Sequence, residues 1–286
     1  IELLRRDPDH SPKQLGSVLR EYGALLADRR QLEEAEPLLI ESRELLAEAH
    51  GEDHPVIATI EARLGWCARR AGRLEEAAMH YRRALDIRER VYEPNHSAIG
   101  YGLTGLAAVL EDLEQFEDAE SMYRRALEID VVALGPRHTE VGTVHNNLGG
   151  LYRKMNRFDE SVVHLRKSIE IYTEVRGADD LWTSYPWLNL SRTLLQADRP
   201  EEALEPVAIA IAIRENALPP DHSELHVARV QHGLVLAAAG RGEEAVPILS
   251  AAVEGLEPQF GADHPLVIEA RATLSTLADR ASDGPS

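Results

Sequence analysis

The chain has 286 residues, 44% of them hydrophobic, with 31 basic and 49 acidic side chains and a net charge of −18. Such a length and apolar content suit a sizeable folded core, while the acid excess opposes non-specific binding to nucleic acid or anionic membrane. Cys67 is the only cysteine, which excludes an intrachain disulfide and points to a reducing, cytoplasmic compartment, and no apolar run approaches the roughly 20 residues of a membrane span.

Along the chain one pattern recurs. The first copy, about 9–50, contains "RQLEEAEPLLIESREL" (30–45), and the second, 51–92, contains "GRLEEAAMHYRRALDI" (72–87). The third, 93–134, and the fourth, 135–176, carry "EQFEDAESMYRRALEI" and "NRFDESVVHLRKSIEI" at the same place. Looser versions follow in the fifth, 177–218, as "DRPEEALEPVAIAIAI", and in the sixth, 219–260, as "GRGEEAVPILSAAVEG". The residue after the acidic pair stands at Ala35, Ala77, Ala119, Ser161, Ala203 and Ala245, a constant step of 42. A single capping helix at 264–281 and a disordered tail at 282–286 complete the expected domain, 1–281. The sequence begins at Ile1 rather than Met, so a longer parent chain is expected, with the first four residues ending a preceding helix.

Each copy reads as two amphipathic helices. In the second, helix A runs roughly 55–71 and helix B roughly 74–91, joined by "AGR". Ile60, Leu64 and Ala68 form a helical stripe. Small residues recur where helices must touch, at Gly23, Gly65, Ala107, Gly149, Ser191 and Gly233 on helix A. On helix B the small slot holds Ala84, Ala126, Ser168, Ala210 and Ala252, where a larger side chain would overpack.

The junction "GEDHP" (51–55) has the residue types of a metal or catalytic site. Steps of 42 from His54 lead to His96, His138, Asp180, His222 and His264, so the histidine marks a repeat boundary. A zinc site instead needs three or four convergent ligands. Gly51, Gly135, Gly177 and Gly261 stand where a helix must end, taking the left-handed conformation without penalty. Pro55 and Pro265 suit the first turn of the next helix; Ser97, Thr139 and Ser223 share that slot and can cap. The histidine caps or packs between neighbouring helices.

The repeats resemble the tetratricopeptide family, through Leu64–Gly65, Ala77, Tyr81 and Ala84 of the second copy. The 42-residue period, the "GxDHP" junction and "NNLG" (146–149) resemble its kinesin-light-chain-like type, and the alanine- and arginine-rich composition points to a bacterial source. The resemblance implies an all-α, right-handed superhelical solenoid of six helix pairs plus a C-terminal capping helix. Asp180, Pro186, Pro200 and Val207 in the fifth copy and Gly242 in the sixth depart from the pattern, so those copies are expected to pack less regularly.

The resemblance also implies that helices A line a concave groove for a peptide or partner helix. The candidate binding residues on that face are Arg63, Trp66, Arg70, Tyr101, Asn146, Asn147, Arg153, Tyr185, Asn189 and Arg192. Asparagine amides both donate and accept, so they can hold a peptide backbone of any sequence. Arginines grip carboxylates through two parallel hydrogen bonds, and the aromatics supply flat anchors. Leu188, Val230 and Leu234 offer an apolar patch nearby. Arg69, Arg70 and Lys154 also lie near helix ends, where cations suit the dipole without any ligand. The partner is expected to be a protein or peptide with acidic and apolar residues, with no nucleic acid, membrane or cofactor. Self-association through the fifth and sixth copies is a further expectation.

Nothing in the chain reads as an enzyme. There is no phosphate loop, "GxSxG" or "HExxH". His80, His145, His164, His226 and His232 lie on helices without a matching ligand set, and Cys67 reads as a small buried hydrophobe. The expected function is a protein-interaction scaffold; the alternative is a regulatory arm of a larger signalling enzyme whose catalytic domain lies outside this segment.

Overall fold

The computed structural model describes residues 11–282. The expectations for the first four residues and for the tail beyond Ser282 lie outside them. Among the described residues the chain forms thirteen α-helices, one 3₁₀ turn and no strand. The helices are α1 (Pro12–Asp28), α2 (Leu32–His50), α3 (Pro55–Arg70), α4 (Leu74–Val91), α5 (Ser97–Asp112), α6 (Phe116–Leu134) and α7 (Thr139–Lys154). After them come α8 (Phe158–Arg176), α9 (Ser184–Gln196), α10 (Pro200–Ala217), α11 (Ser223–Ala238), α12 (Gly242–Phe260) and α13 (Pro265–Ser282). Odd-numbered helices up to α11 are the A helices of the six pairs, even-numbered ones the B helices, and α13 is the cap.

The chain divides into two compact units, 1–136 and 137–286. Within each, helix pairs stack in the manner of a solenoid. In the first unit α1 packs on α2, α3 on α4 and α5 on α6, and successive A helices also touch one another. The second unit repeats this through α7 to α12, with α13 laid against α11 and α12.

The pairs close because the crossing residues are small. A Cβ on Gly65 would lie 2.8 Å from Cδ2 of Tyr81, one on Gly149 2.5 Å from Cγ of Leu165, and one on Gly233 2.4 Å from Cγ of Leu249. Ala84, Ala126, Ser168, Ala210 and Ala252 are all completely buried. Helix B opens on acids in every pair, from Glu33 and Glu34 to Glu243 and Glu244, against the positive end of its dipole.

The A-to-B turn needs a positive φ once per copy, and Gly72 and Gly240 supply it without steric penalty. At the same position stand Arg30, Glu114, Asn156 and Asp198, all with φ near +60°. The turn geometry is therefore held by the packed helices on both sides rather than by glycine.

The junctions resolve the role of their histidines. His54, His96, His138, His222 and His264 each accept, through Nδ1, the backbone N–H two residues on, at 3.1–3.3 Å. These imidazoles are the N-caps, and Ser97, Thr139 and Ser223 occupy the first helical position instead of capping. The ring reaches an N–H that a shorter hydroxyl one residue later cannot face. Three of the rings also stack on the end of the preceding B helix: His54 on His50, His96 on Tyr92 and His264 on Phe260, with centroids 4.2–4.7 Å apart. Asp180 caps in the same way, accepting from the Trp182 N–H at 2.9 Å, and its carboxylate pairs with Arg176, four residues back.

Gly51, Gly135, Gly177 and Gly261 end their helices with φ between 86° and 103°, but with ψ near 160° rather than in the left-handed helical well. That combination is almost exclusive to glycine. Pro186 falls in the first turn of α9, where a missing N–H costs nothing. The fifth copy accommodates it by shortening its A helix to 13 residues behind the 3₁₀ turn Leu181–Thr183. Val207 is completely buried, so that slot packs as tightly as the others.

Candidate functional site

In the first unit, Arg63, Trp66 and Arg70 share α3. Arg63 pairs with Asp28 of α1 at 2.8 Å, and the Arg70 guanidinium lies 5.3 Å from the centre of the Trp66 ring. Neighbouring Arg69 is held by Asp112 of α5 at 2.5 Å. Tyr101, on α5, is 61% exposed and covers the buried guanidinium of Arg88.

The second unit gathers the other six candidates on α7 and α9. The Asn189 amide donates to Asn146 Oδ1 at 3.0 Å, and the Asn146 amide reaches Asn147 Oδ1 at 3.5 Å. Two of the three asparagines are thus tied across adjacent A helices. Arg153 donates to Gln196 at 3.2 Å. Tyr185 donates its hydroxyl to the Glu224 carboxylate at 2.9 Å while Arg214 covers its ring at 5.1 Å. Burial and the nearby charges of Arg153 and Arg214 push the Arg192 guanidinium down to about 10, against an opposing pull from Glu269. Arg192 makes no hydrogen bond or ion pair with any described residue. A step of 42 before it stands Gly150, whose missing side chain would meet only open space.

The expected apolar patch lies elsewhere. Leu188 and Val230 are 3% and 1% exposed and belong to the core, because α9 and α11 turn those faces toward their own B helices. A cavity of about 500 Å³ instead opens between α11 and α13. Leu195, Leu234, Ala237 and Leu277 supply its apolar wall, with Glu269 and Arg280 at its rim. Sequence reasoning missed the contribution of α13 because a capping helix has no second copy to compare with.

It also missed two side-chain pairings. In the first unit Glu61 is completely buried, accepting from His80 Nδ1 at 2.6 Å with Arg83 at 3.2 Å and Arg43 at 3.4 Å. Burial pushes its carboxyl up, but the His80 hydrogen bond and the two guanidiniums outweigh burial and leave it below the usual range. In the second unit His145 and His164 face each other, Nδ1 to Nδ1, at 2.9 Å. Burial, His164 and Lys167 bring His145 down to about 4. Among the described residues no three histidine, cysteine, aspartate or glutamate side chains group as metal ligands would. Cys67 is buried and its thiol is pushed up to about 11, mainly by burial, which makes it a poor nucleophile. No helix among the described residues is long and apolar enough to cross a membrane.

The tetratricopeptide repeat family model matches residues 14–90, 69–130, 98–174 and 140–216. No curated protein matches the chain in sequence. Among solved structures, BtubC (BKLC) from P. vanneervenii is similar with a TM-score of 0.68 at 19% identity, over 83% of this chain and 93% of that one. A putative kinesin light chain from Podosopora anserina with nearly identical repeats has a TM-score of 0.61 at 17% identity, over 72% and 98%. The Rap protein complexed with Competence and Sporulation Factor has a TM-score of 0.60 at 14% identity, over 95% and 91%. At these identities the likeness is one of fold.

Proposed function

The chain belongs to the tetratricopeptide repeat family, and from that premise we propose that it captures a peptide on the A-helix face of its second unit. The fold is that of protein-interaction scaffolds. The observation that carries the finer reading is Arg192, a half-buried guanidinium without a partner among the described residues, beside the Asn146–Asn189 amide pair. A carboxylate on the ligand would satisfy Arg192 bidentately. The amides can pair with the ligand backbone, and the cavity lined by Leu195 and Leu234 takes an apolar side chain. The Rap neighbour, complexed with its factor, supports this reading by showing such a fold occupied. The expected ligand is therefore a peptide with an acidic residue followed by an apolar one.

Selection from a random displayed-peptide library against the purified chain tests this. The reading expects a consensus with adjacent acidic and apolar positions. Calorimetry on the selected peptide should show affinity falling at least about tenfold in Asn147→Ala/Asn189→Ala and in Arg192→Leu, at unchanged melting temperature. A consensus without an acid, or full affinity in both variants, overturns it.

A further inference from the structure

Arg88 on α4 is 6% exposed. Its side chain makes no hydrogen bond or ion pair with any described residue, and Nη1 is sealed from solvent without a partner. A buried cation without a counter-charge is strongly destabilising, and a guanidinium carries five N–H donors that all seek acceptors. Tyr101 roofs the group, its ring centre 5.2 Å from the guanidinium carbon, and is itself 61% exposed. Gly102 leaves the wall beside it bare, since a Cβ there would come within 2.9 Å of Nη1.

The repeat supplies its own control. Three steps of 42 beyond Arg88 stands Arg214, equally buried at 2% exposure. Arg214 is satisfied: Nε donates to Ser184 Oγ at 3.1 Å, Nη1 to the main-chain oxygen of Glu224 at 2.7 Å, and the Glu224 carboxylate lies 3.9 Å from Nη2. Three steps back from Ser184 and Glu224 are Ala58 and Ala98. Both side-chain groups that face Arg214, the Ser184 hydroxyl and the Glu224 carboxylate, are therefore missing around Arg88, and no main-chain oxygen takes a hydrogen bond from Arg88 as that of Glu224 does from Arg214. Ala58 is buried, but Ala98 is half-exposed at the start of α5 and leaves its place open to solvent.

We propose that Arg88, beneath the Tyr101 roof, is an anion subsite of the first unit that receives a carboxylate from a bound partner at the place Glu224 occupies in the later copy. Exposed Tyr101 swings aside to admit it and can stack on whatever the carboxylate is attached to. The chemistry fits an acidic side chain or a chain end, and it stands apart from the Arg192 face of the second unit. Burial of the guanidinium, which lowers its affinity for its proton, describes the same uncompensated charge.

The test uses two small probes on the whole chain, Ac-Gly-Glu-Gly-NH2 for a side-chain carboxylate and Ac-Gly-Gly-OH for a chain end. It includes a chloride control at equal ionic strength. The Arg192→Leu background is used throughout, so that a response cannot arise at the second-unit face. At least one probe should raise the melting temperature saturably, by about 3 °C at tenfold excess over a midpoint on the order of millimolar. Which probe acts assigns the source. Arg88→Met should abolish the response. Ala98→Glu should raise the melting temperature of the free protein and abolish the response too, because the chain then supplies its own carboxylate. That substitution suits the local backbone, since Glu224 itself donates its N–H to a capping histidine as Ala98 does. No response to either probe, or a full response in Ala98→Glu, overturns the proposal.

Discussion

Glu61 and His80 in the second copy occupy the same repeat positions as His145 and His164 in the fourth, two steps of 42 further on. The two pairs have nearly the same geometry, with contacts of 2.6 and 2.9 Å between an A and a B helix. Their chemistry is opposite. The first unit buries a carboxylate among one imidazole and two guanidiniums, and the second pairs two imidazoles, one of which, His145, burial keeps from taking up a proton. In the third copy the slots hold Leu103 and Met122, with Leu103 completely buried. A helix crossing therefore fixes where two side chains meet but not what they are, so each unit can respond differently to pH and charge on one scaffold.

The sharpest break of this comparison removes the carboxylate. Glu61→Ala leaves His80 and the partly exposed Arg83 and Arg43 facing the buried place the carboxylate filled. Breaking a buried charge pair by one partner costs about 3–5 kcal/mol, and the lower end, about 3 kcal/mol, applies because Arg83 and Arg43 keep part of their solvent. Denaturant unfolding should show a loss of that size, with hydrogen exchange rising in α3 and α4 and unchanged in α9 to α12. A loss below about 1 kcal/mol would mean the cluster behaves as a solvated surface pair.

Acid should separate the units next. His145 titrates near 4 in the folded chain against 6.5 for an ordinary histidine. The unfolded chain therefore binds the proton first, and the stabilisation from keeping His145 neutral is complete above pH 6.5. It is lost as pH falls from 6.5 to about 4, by up to about 3 kcal/mol. His226 and His232, lowered by burial as well, act in the same direction and in the same unit. Glu61, held below its usual 4.5, keeps its contribution until the pH falls beneath that value. Between pH 6.5 and 4.5 the second unit should loosen more than the first, in exchange rates corrected for intrinsic pH dependence. His145→Leu, borrowing the residue of the third copy, should flatten most of that slope.

How much of this was legible follows from what repeats. The period, the glycine stops and the small crossing slots were readable because each recurs, and recurrence separates packing from chemistry. The histidine at five of the six junctions was recognisable as punctuation for the same reason, although its cap through Nδ1 needed the ring geometry to show. Glu61 with His80, Arg88 beneath Tyr101 and the wall lent by Leu277 were not readable. Each depends on a pairing between elements whose residue types change from copy to copy, so counting in steps of 42 averages them away. Leu188 and Val230 failed as an apolar patch because a helix that packs on both sides has less free surface than one stripe suggests.

The smallest effect tests the neutral chemistry of the second unit directly. Ser161 donates its one hydroxyl proton to the Gly149 carbonyl at 2.7 Å and lies 2.9 Å from Thr193 Oγ1, while its counterparts Ala35, Ala77, Ala119, Ala203 and Ala245 are completely buried alanines. Size is therefore no obstacle to Ser161→Ala. The Thr193 hydroxyl has the Asn189 carbonyl within donating distance at 2.9 Å and keeps that acceptor. The Gly149 carbonyl remains within its own helix. The expected loss is that of an ordinary buried hydrogen bond, about 1 kcal/mol, read from the denaturant midpoint at constant slope. It should also leave the acid response of the second unit unchanged, because no titrating group has moved. A loss approaching that of Glu61→Ala would instead make the hydroxyl pair as structural as the ion cluster, and erase the distinction between the two units.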